Sequence, residues 1–589
     1  MSGDITAIYR ARLSKERGYI IKKRDGKLTV ALVYPNYYRL GMSNLGFQIV
    51  YGLFNKFPDV LAERFFLPEG QEMSLYIKSG NPVVSLETQT PLSNFDLIAF
   101  SLSFENDYPN LLKILELGKI PLFSSERPHT FPLLICGGVT SFLNPEPLTD
   151  YIDLFLLGEA EANLNEFINQ FQESRSTYLE KKTFLKKLAV NVPSVYVPCF
   201  YETEYNNDGT IKSFKPTENG IPEKVKVARS IESIDVESHS ITSKIIASEA
   251  ELGNRVLIEM ERGCGRSCRF CAAGYVYRPP RFYSKKMLDA AIDEATGSCG
   301  QVGLMGAAVS DVEDIEQITS DILDKNCRFS ISSLRADRVT ERLIKNLKSS
   351  GQRTVAIAPE AGSERLRAVL NKHLTEAQIL KAVKMIASIG GLNLRLYFLI
   401  GLPTEKRKDI VEIVNLVKAI KHQMIKISAP SGKVGRIRLS LNCFVPKPFT
   451  PFQWFPLEDV RSLKDKQKWI KKTLEKEGGI KVNTDIPKWA YIQASLSMGN
   501  RRVSSILFRA YKFNGDWNRA FRSTEINPDF FVYRQKDLDE ILPWDFIDNR
   551  ISKKYLLLER LLALRQEESD PCKVGKCFRC GVCKENKKK

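Results

Sequence analysis

The stretch from Glu261 to Gly274 reads ERGCGRSCRFCAAG and places Cys264, Cys268 and Cys271 in the spacing C-x3-C-x2-C. A structural zinc site takes four ligands, typically as two well-separated C-x2-C pairs, and no histidine lies near this loop to complete one. A redox C-x-x-C pair does not need the first cysteine. Three thiolates do fit a cubane iron–sulfur cluster, in which one iron stays open for a substrate.

The loop follows the apolar strand candidate VLIEM (256–260), and five further candidates follow at similar intervals. They are QVGLMG (301–306), CRFSIS (327–332), RTVAIAP (353–359), NLRLYFLI (393–400) and RIRLSLNCF (436–444). Amphipathic helices separate them, one with a capping box at Thr375 and Gln378 and one expected to begin at Thr404. This alternation predicts a partial parallel (β/α)6 barrel, whose chemistry belongs at the carboxyl ends of its strands.

The cysteine spacing, with the aromatic Phe270 before the last cysteine, resembles the signature of the radical S-adenosylmethionine (radical SAM) superfamily. The resemblance implies a [4Fe-4S] cluster whose open iron chelates the amino and carboxylate groups of S-adenosylmethionine. One electron then cleaves the sulfonium to methionine and a 5′-deoxyadenosyl radical, which abstracts a substrate hydrogen. It also implies an electron donor such as flavodoxin or ferredoxin.

The same resemblance places further cofactor contacts at the other strand ends. The expected cofactor contacts are Phe270 in the cysteine loop and, at the other strand ends, Gly303, Gly306, Ser332, Arg335, Glu360 and Gly401. The two glycines near 305 correspond to the superfamily's methionine-binding segment, although the acidic residue usual there is not evident. Loop structure or helix capping is the alternative at every position, and capping is the preferred interpretation for Ser363 and Thr404.

An amino-terminal region from about 27 to 172 also alternates strands with helices. Its strand candidates are LTVALVY (28–34), DLIAFSLSF (96–104), PLLICGG (132–138) and DLFLLGE (153–159), which predict a doubly wound parallel sheet. The stretch 135–164 resembles the cobalamin-binding domain that precedes many radical SAM barrels, with matching positions Gly137, Gly138, Gly158 and Glu159. The D-x-H-x-x-G motif that supplies a cobalt ligand elsewhere is absent. The sequence therefore favours neither cobalamin binding nor substrate docking as the role of this domain.

Cys572, Cys577, Cys580 and Cys583 end the chain with the spacing C-x4-C-x2-C-x2-C. This spacing resembles ferredoxin runs more than zinc fingers, so an auxiliary [4Fe-4S] cluster is preferred over zinc. Such a cluster would relay electrons, anchor substrate or donate sulfur, and the alternative is a structural clip on the tail. The remaining five cysteines are scattered among apolar neighbours and are expected to be buried hydrophobes.

The sequence predicts four regions. They are a cobalamin-binding-like domain (1–172), a β-rich connector with a hairpin at Asp208–Gly209 (173–250), the partial barrel (251–445) and a mostly helical region ending in the cysteines (446–589). Several longer stretches, among them AERFFLP (62–68) and APEAGSERLR (358–367), resemble an uncharacterised group of cobalamin-domain radical SAM proteins. In FVPKPFTPFQW (444–454) that group leads us to expect histidine at Phe449, and an aromatic wall is the preferred interpretation.

The 589 residues carry a net charge of +18, with 43% hydrophobic and 26% charged residues. No apolar run approaches the ~20 residues of a membrane span and no signal peptide is evident, so we expect a cytoplasmic location without membrane contact. The resemblances to radical SAM and cobalamin-binding domains imply a radical SAM enzyme that transfers a methyl group to an unactivated carbon. The alternatives are a methylthio- or sulfur-inserting enzyme without cobalamin and a zinc-containing RNA- or partner-binding protein. Substrate candidates are RNA, a protein or a small molecule.

Overall fold

A computed structural model describes residues 5–128, 132–176, 180–230 and 240–583. They form two compact units. The first takes in residues up to 256 together with 495–531 and 539–549, and the second takes in 257–494, 532–538 and the residues from 550 onward. No helix in the described ranges is long and apolar enough to span a membrane.

The first unit contains the predicted doubly wound sheet. Its strands are β1 (Leu28–Tyr34), β2 (Val60–Phe66), β3 (Leu97–Ser101), β4 (Leu133–Gly137), β5 (Leu154–Leu156) and β6 (Val195–Tyr196). Their spatial order is β2-β1-β3-β4-β5-β6, and only β6 runs antiparallel. The main helices of this sheet are Leu45–Lys56, Tyr108–Leu117, Ala160–Ser176 and Lys181–Asn191.

Strand β2 is absent from the sequence-based prediction because Glu63 and Arg64 interrupt its apolar run. Both side chains are fully buried. The Arg64 guanidinium donates to Glu16 and Glu87 at 2.6 Å each, and these partners compensate the cost of burying its charge. A strand with charged central residues therefore belongs to the core.

The connector forms the predicted hairpin, with β7 (Tyr201–Tyr205) antiparallel to β8 (Ile211–Pro216). Gly209 adopts a φ of +88° in the turn, a conformation that glycine accepts without steric cost. The short strand Val225–Lys226 pairs in parallel with Ile547–Asp548.

The second unit contains the partial barrel. Its strands are β9 (Val256–Glu259), β10 (Gln301–Met305), β11 (Arg328–Ile331), β12 (Thr354–Glu360), β13 (Asn393–Ile400), β14 (Ile437–Cys443) and β15 (Ile480–Thr484). Strands β9 to β11 form one sheet and β12 to β15 form a parallel second sheet, and a parallel bridge between Leu334 and Ile357 connects the two. The helices between strands are Lys285–Ser298, Ile315–Asp324, Glu341–Ser349, Glu376–Ile389, Arg407–Ser428 and Val460–Glu475.

Two details differ from the sequence-based expectation. Strand β15 is a seventh strand, and it lies within the mostly helical carboxyl-terminal region. Its sequence IKVNT is too polar to be predicted as a strand, although it pairs in parallel with β14.

The capping box at Thr375 is confirmed, but the expected helix start at Thr404 is wrong. That helix begins at Arg407, while Thr404 has a φ of +64° and accepts hydrogen bonds from Arg365. The carboxyl-terminal helices include Val503–Lys512, Trp517–Arg522 and Lys553–Arg565.

Candidate functional site

The cysteine loop lies immediately after β9 and is fixed by the buried Arg269, which stands between its second and third cysteines. The Arg269 guanidinium donates to Glu559 at 3.1 Å, to the carbonyls of Ala368 and Val369 at 3.1 and 3.0 Å, and to the carbonyl of Glu567 at 2.9 Å. The neutral partners are all backbone oxygens, so the charge is balanced by one buried carboxylate. Arg269 thereby holds the loop against the end of the chain.

The three thiols of the loop lie close enough for their charges to interact. Burial, reinforced by Cys268, raises the pKa of Cys264 to about 12, and burial also raises the pKa of Cys271. Cys264 and Cys271 therefore favour the neutral thiol until a metal centre displaces the protons, as metal ligation by thiolate requires. In the described part of the chain, no three His, Cys, Asp or Glu side chains converge as the ligands of one metal ion do. The ligand roles of these cysteines stay a prediction.

A positive charge stands beside the cysteine loop. The Lys372 ammonium lies 3.2 Å from Glu360. Burial lowers the pKa of Lys372, but the charges of Glu360 and Cys268 outweigh burial and raise it. Glu360 itself has a φ of +67° at the irregular end of β12, an uncommon conformation for a residue other than glycine. Arg335 donates to Asp337 and to the Lys372 carbonyl, so two of the predicted contacts meet around this lysine.

The glycine segment after β10 meets a carboxylate that the sequence-based analysis missed. Glu261 is 2% exposed, and its Oε1 accepts a hydrogen bond of 2.6 Å from the backbone N–H of Ala308. A Cβ at Gly306 would lie 2.7 Å from that oxygen, so a larger residue there would displace the carboxylate from its present position. Burial raises the pKa of Glu261 to about 7, and its Oε2 has no hydrogen-bond partner among the described residues. The start of the cysteine loop therefore places a buried carboxylate against the glycine segment, which has no evident acid of its own.

Other predicted contacts of the barrel have mixed surroundings. Phe270 packs against an apolar cluster that includes Leu366 and Phe452. A Cβ at Gly303 would lie 2.7 Å from the Leu257 side chain, so core packing already explains that glycine. Ser332 is exposed. The backbone N–H of Gly401 is occupied because it donates to both carboxylate oxygens of Glu405 at 3.1 Å.

The four predicted cobalamin contacts lie at the carboxyl ends of β4 and β5. A Cβ at Gly138 would stand 2.3 Å from the Leu102 carbonyl, and one at Gly158 would stand 2.2 Å from the carbonyl of Ala228. Glu159 accepts a hydrogen bond from the backbone of Ser230 at 3.1 Å. These three positions serve contacts within the chain, whereas a Cβ at Gly137 would meet only one atom, at 3.8 Å.

The segment around Phe449 forms an aromatic wall. Phe449 is buried, has a φ of +57° and donates its backbone N–H to Gln453 at 2.8 Å. Phe452 stands edge-on to both Phe444 and Phe455, with ring centroids 5.8 and 5.5 Å apart. These contacts support the structural interpretation of the segment.

The carboxyl-terminal cysteines lie against the first cysteine loop. Burial raises the pKa of Cys572 to about 11, while the charge of the buried Arg278 acts in the opposite direction. The turn Cys572–Cys577 is closed by a hydrogen bond of 2.8 Å from Cys577 N–H to the Lys573 carbonyl. Cys580 and Cys583 are buried. The distance between these two cysteine groups in the chain gives no hint of this proximity.

Similarity to known proteins agrees with this architecture. Residues 46–198 match the family described as radical SAM proteins, N-terminal, and residues 258–417 match the radical SAM superfamily. The uncharacterised protein MJ0966 of Methanocaldococcus jannaschii is 29% identical over 490 residues, which cover 81% of this chain and 90% of that protein. MJ0865 of the same organism, provisionally named a methylthiotransferase, is 22% identical over 333 residues, which cover 49% and 72%.

Two solved structures are similar at lower levels. The cobalamin-dependent radical enzyme OxsB with aqua-cobalamin bound gives 18% identity and a TM-score of 0.42 over 66% of this chain and 52% of OxsB, so the match spans about half of OxsB. The radical SAM methyltransferase TsrM from Kitasatospora setae gives 12% identity and a TM-score of 0.46 over 73% and 75%. Neither likeness is close enough to transfer an activity. Both radical SAM family matches occur in order along the chain, and the second contains the C-x3-C-x2-C loop, so the chain belongs to the radical SAM superfamily.

Proposed function

We propose that this radical SAM enzyme cleaves S-adenosylmethionine at a [4Fe-4S] cluster held by Cys264, Cys268 and Cys271, and that it directs the radical to methyl transfer onto an unactivated carbon. The donor set fits such a cluster, because it offers three thiols and no fourth protein ligand within the loop. The cluster, when bound, supplies the electron that opens the sulfonium. The protein contributes position and charge around that centre.

The observation that carries the proposal is the buried carboxylate of Glu261 at the open end of β10. Glu261 lies three residues before the first cysteine. Its Oε1 approaches the exposed Gly306, and its Oε2 is buried without a hydrogen-bond partner among the described residues. A buried acceptor without a donor is costly, and an ammonium group would satisfy it. Glu261 therefore suits the α-ammonium of S-adenosylmethionine. Lys372, whose charge interacts with Cys268, and the neighbouring Arg335 suit the carboxylate of the same ligand.

Methyl transfer rests on the amino-terminal domain. In an open parallel sheet, ligands bind outside the carboxyl ends of the strands, and Gly137 leaves that edge open. Cobalamin, when bound there, would supply a methyl carrier. The residues fit it in part only, because Gly138, Gly158 and Glu159 already contact the chain itself.

Sulfur insertion or methylthio transfer is the second candidate. The similarity to MJ0865 and the second cysteine group beside the catalytic loop favour it. Anaerobic purification followed by product analysis separates the two. Methyl transfer predicts a bound corrinoid absorbance and S-adenosylhomocysteine beside 5′-deoxyadenosine. Absence of corrinoid, together with loss of sulfide from the protein during turnover, would instead establish sulfur insertion.

A further inference from the structure

The carboxyl-terminal cysteine group is joined directly to the catalytic cysteine loop. The backbone N–H of Cys572 donates to the Gly265 carbonyl at 2.7 Å. A Cβ at Gly265 would lie 3.3 Å from the Cys572 carbonyl oxygen and 3.8 Å from the Cys572 Cβ. Gly265 directly follows the first cluster cysteine, so the two cysteine sites are adjacent across one hydrogen bond.

A second set of contacts reinforces this junction. The buried Arg278 donates to the Gly274 carbonyl and to the Ser267 hydroxyl, each at 2.7 Å, and its guanidinium lies 5.1 Å from the ring centre of Tyr555. The helix that holds this tyrosine begins after Ser552, whose N–H donates to the Cys580 carbonyl at 2.9 Å. The helix, the loop and the tail thus form one packed assembly.

The tail before Cys572 also binds the loop. Ser569 donates its N–H to Asn371 at 2.8 Å and its hydroxyl to Glu559 at 2.9 Å. Asn371 in turn donates to the Ser267 carbonyl at 3.2 Å. The residues before Cys572 are therefore held to the cysteine loop by a chain of hydrogen bonds through Asn371.

The chemistry of the group limits its role. Four thiolates complete the protein ligation of a [4Fe-4S] cluster and leave no iron open for substrate, a ligation that suits electron transfer beside a catalytic cluster. The outer edge of the group faces solvent, because Lys573, Val574, Lys576 and Arg579 are exposed. Three of these four side chains are cationic.

Building on the proposed function, we propose that the carboxyl-terminal cysteines hold the electron-entry cluster of this enzyme, and that Lys573, Lys576 and Arg579 dock an acidic one-electron carrier. The carrier is a reduced protein of the flavodoxin or ferredoxin class. The cluster that Cys572, Cys577, Cys580 and Cys583 would hold would supply a path for one electron from the reduced carrier to the catalytic loop. That electron would be consumed in breaking the carbon–sulfur bond of S-adenosylmethionine. Attraction between opposite charges would speed the encounter.

The first test removes the entry cluster. Cys577→Ala should lower the iron content by about half, from about eight to about four atoms per chain. It should slow reduction of the remaining cluster by reduced flavodoxin by roughly tenfold or more, a rate followed by absorbance, while dithionite still supports 5′-deoxyadenosine formation. Cys299→Ala, outside both groups, is the control. Unchanged iron content, or wild-type reduction by flavodoxin after the iron loss, overturns the proposal.

The second test leaves all cysteines in place, so misfolding does not obscure it. The double substitution Lys573→Glu and Lys576→Glu should raise the KM for flavodoxin by roughly tenfold and weaken its salt dependence, with the dithionite-driven rate unchanged. The matched control reverses Lys381 and Lys384, two exposed lysines of the helix Glu376–Ile389. Equal KM values for both double variants would overturn the docking surface. Failure of all proteins to form 5′-deoxyadenosine with dithionite would instead refute the proposed function.

Discussion

The carboxylate of Glu261 accepts a hydrogen bond of 2.6 Å from the backbone N–H of Ala308, and this bond connects the cysteine loop to the glycine segment of the next strand. One carboxylate oxygen stays buried without a donor among the described residues. The hydrogen bond between Ala308 and Glu261 places a carboxylate beside the glycine segment, which has no evident acidic residue of its own. It also makes Glu261 the residue on which binding of S-adenosylmethionine is most directly tested.

We expect Glu261→Gln to weaken binding of S-adenosylmethionine about tenfold to hundredfold, because a charge-assisted hydrogen bond contributes about 1.5–3 kcal/mol. Equilibrium binding to the anaerobic, cluster-loaded protein measures this change. Iron content should match the wild type, and the exposed Glu313→Gln serves as control. Wild-type affinity in Glu261→Gln would remove this residue from the site.

Binding should also depend on pH. The pKa of Glu261 is raised from an ordinary 4.5 to about 7, so the buried side chain is largely protonated at pH 5.5 and gains charge as the pH approaches 7. Affinity for the ammonium group should therefore rise between pH 5.5 and 7 in the wild type and stay flat in Glu261→Gln. Parallel profiles for the two proteins would contradict the assignment.

The same raised pKa predicts a stability effect of opposite sign. Between pH 4.5 and about 7 the folded protein holds a proton that the unfolded chain releases, so stability falls as the pH rises through this window. The loss is on the order of 3 kcal/mol at most. Thermal unfolding of the ligand-free wild type and Glu261→Gln at pH 5.5 and 8 measures it. We expect the variant to be relatively more stable at pH 8.

Replacing Arg269 with methionine should release the cysteine loop. The substitution removes four hydrogen bonds and leaves Glu559 buried without its cation, which costs about 3–5 kcal/mol. Faster iron loss to a chelator and a lower melting temperature are the expected results. The exposed Arg328→Met is the control, and equal iron loss in both variants would show that Arg269 does not stabilise the loop.

In the amino-terminal unit, Gly138→Ala should destabilise more than Gly26→Ala. Both glycines have positive φ, +99° and +70°, so both substitutions introduce backbone strain. Only the first places a Cβ 2.3 Å from a carbonyl oxygen, whereas the second meets nothing within 4 Å. A difference of about 2 kcal/mol or more in chemical unfolding is expected. Equal losses would show that the Leu102 contact relaxes freely.

Most of the architecture follows from apolar periodicity and turn residues. All six predicted barrel strands form, because each combines a short apolar run with a polar or glycine boundary. The strand Val60–Phe66 escapes that logic because its buried Arg64 depends on Glu16 and Glu87, which are distant in sequence. The strand Ile480–Thr484 is not predicted by apolar periodicity, because its pairing with the strand Ile437–Cys443 defines it rather than an apolar run.

The candidate site also has one part that the sequence predicts and one part that it does not. The cysteine spacing predicts its own chemistry because the ligands are local. Glu261 and Ala308, by contrast, meet across 47 positions of sequence, and Cys572 and Gly265 meet across an even longer separation. Such contacts depend on tertiary packing. The one sequence signal for Glu261 is its position, because it is an acidic residue three positions before Cys264.

A cluster held by Cys264, Cys268 and Cys271 would have one iron open to S-adenosylmethionine. Electron paramagnetic resonance of the reduced Cys577→Ala protein, in which only this cluster is expected, detects that open iron. We expect a [4Fe-4S]+ signal whose g values shift when S-adenosylmethionine is added, and whose loss accompanies 5′-deoxyadenosine formation. A zinc-filled loop, or an iron signal that S-adenosylmethionine leaves unchanged, would contradict it.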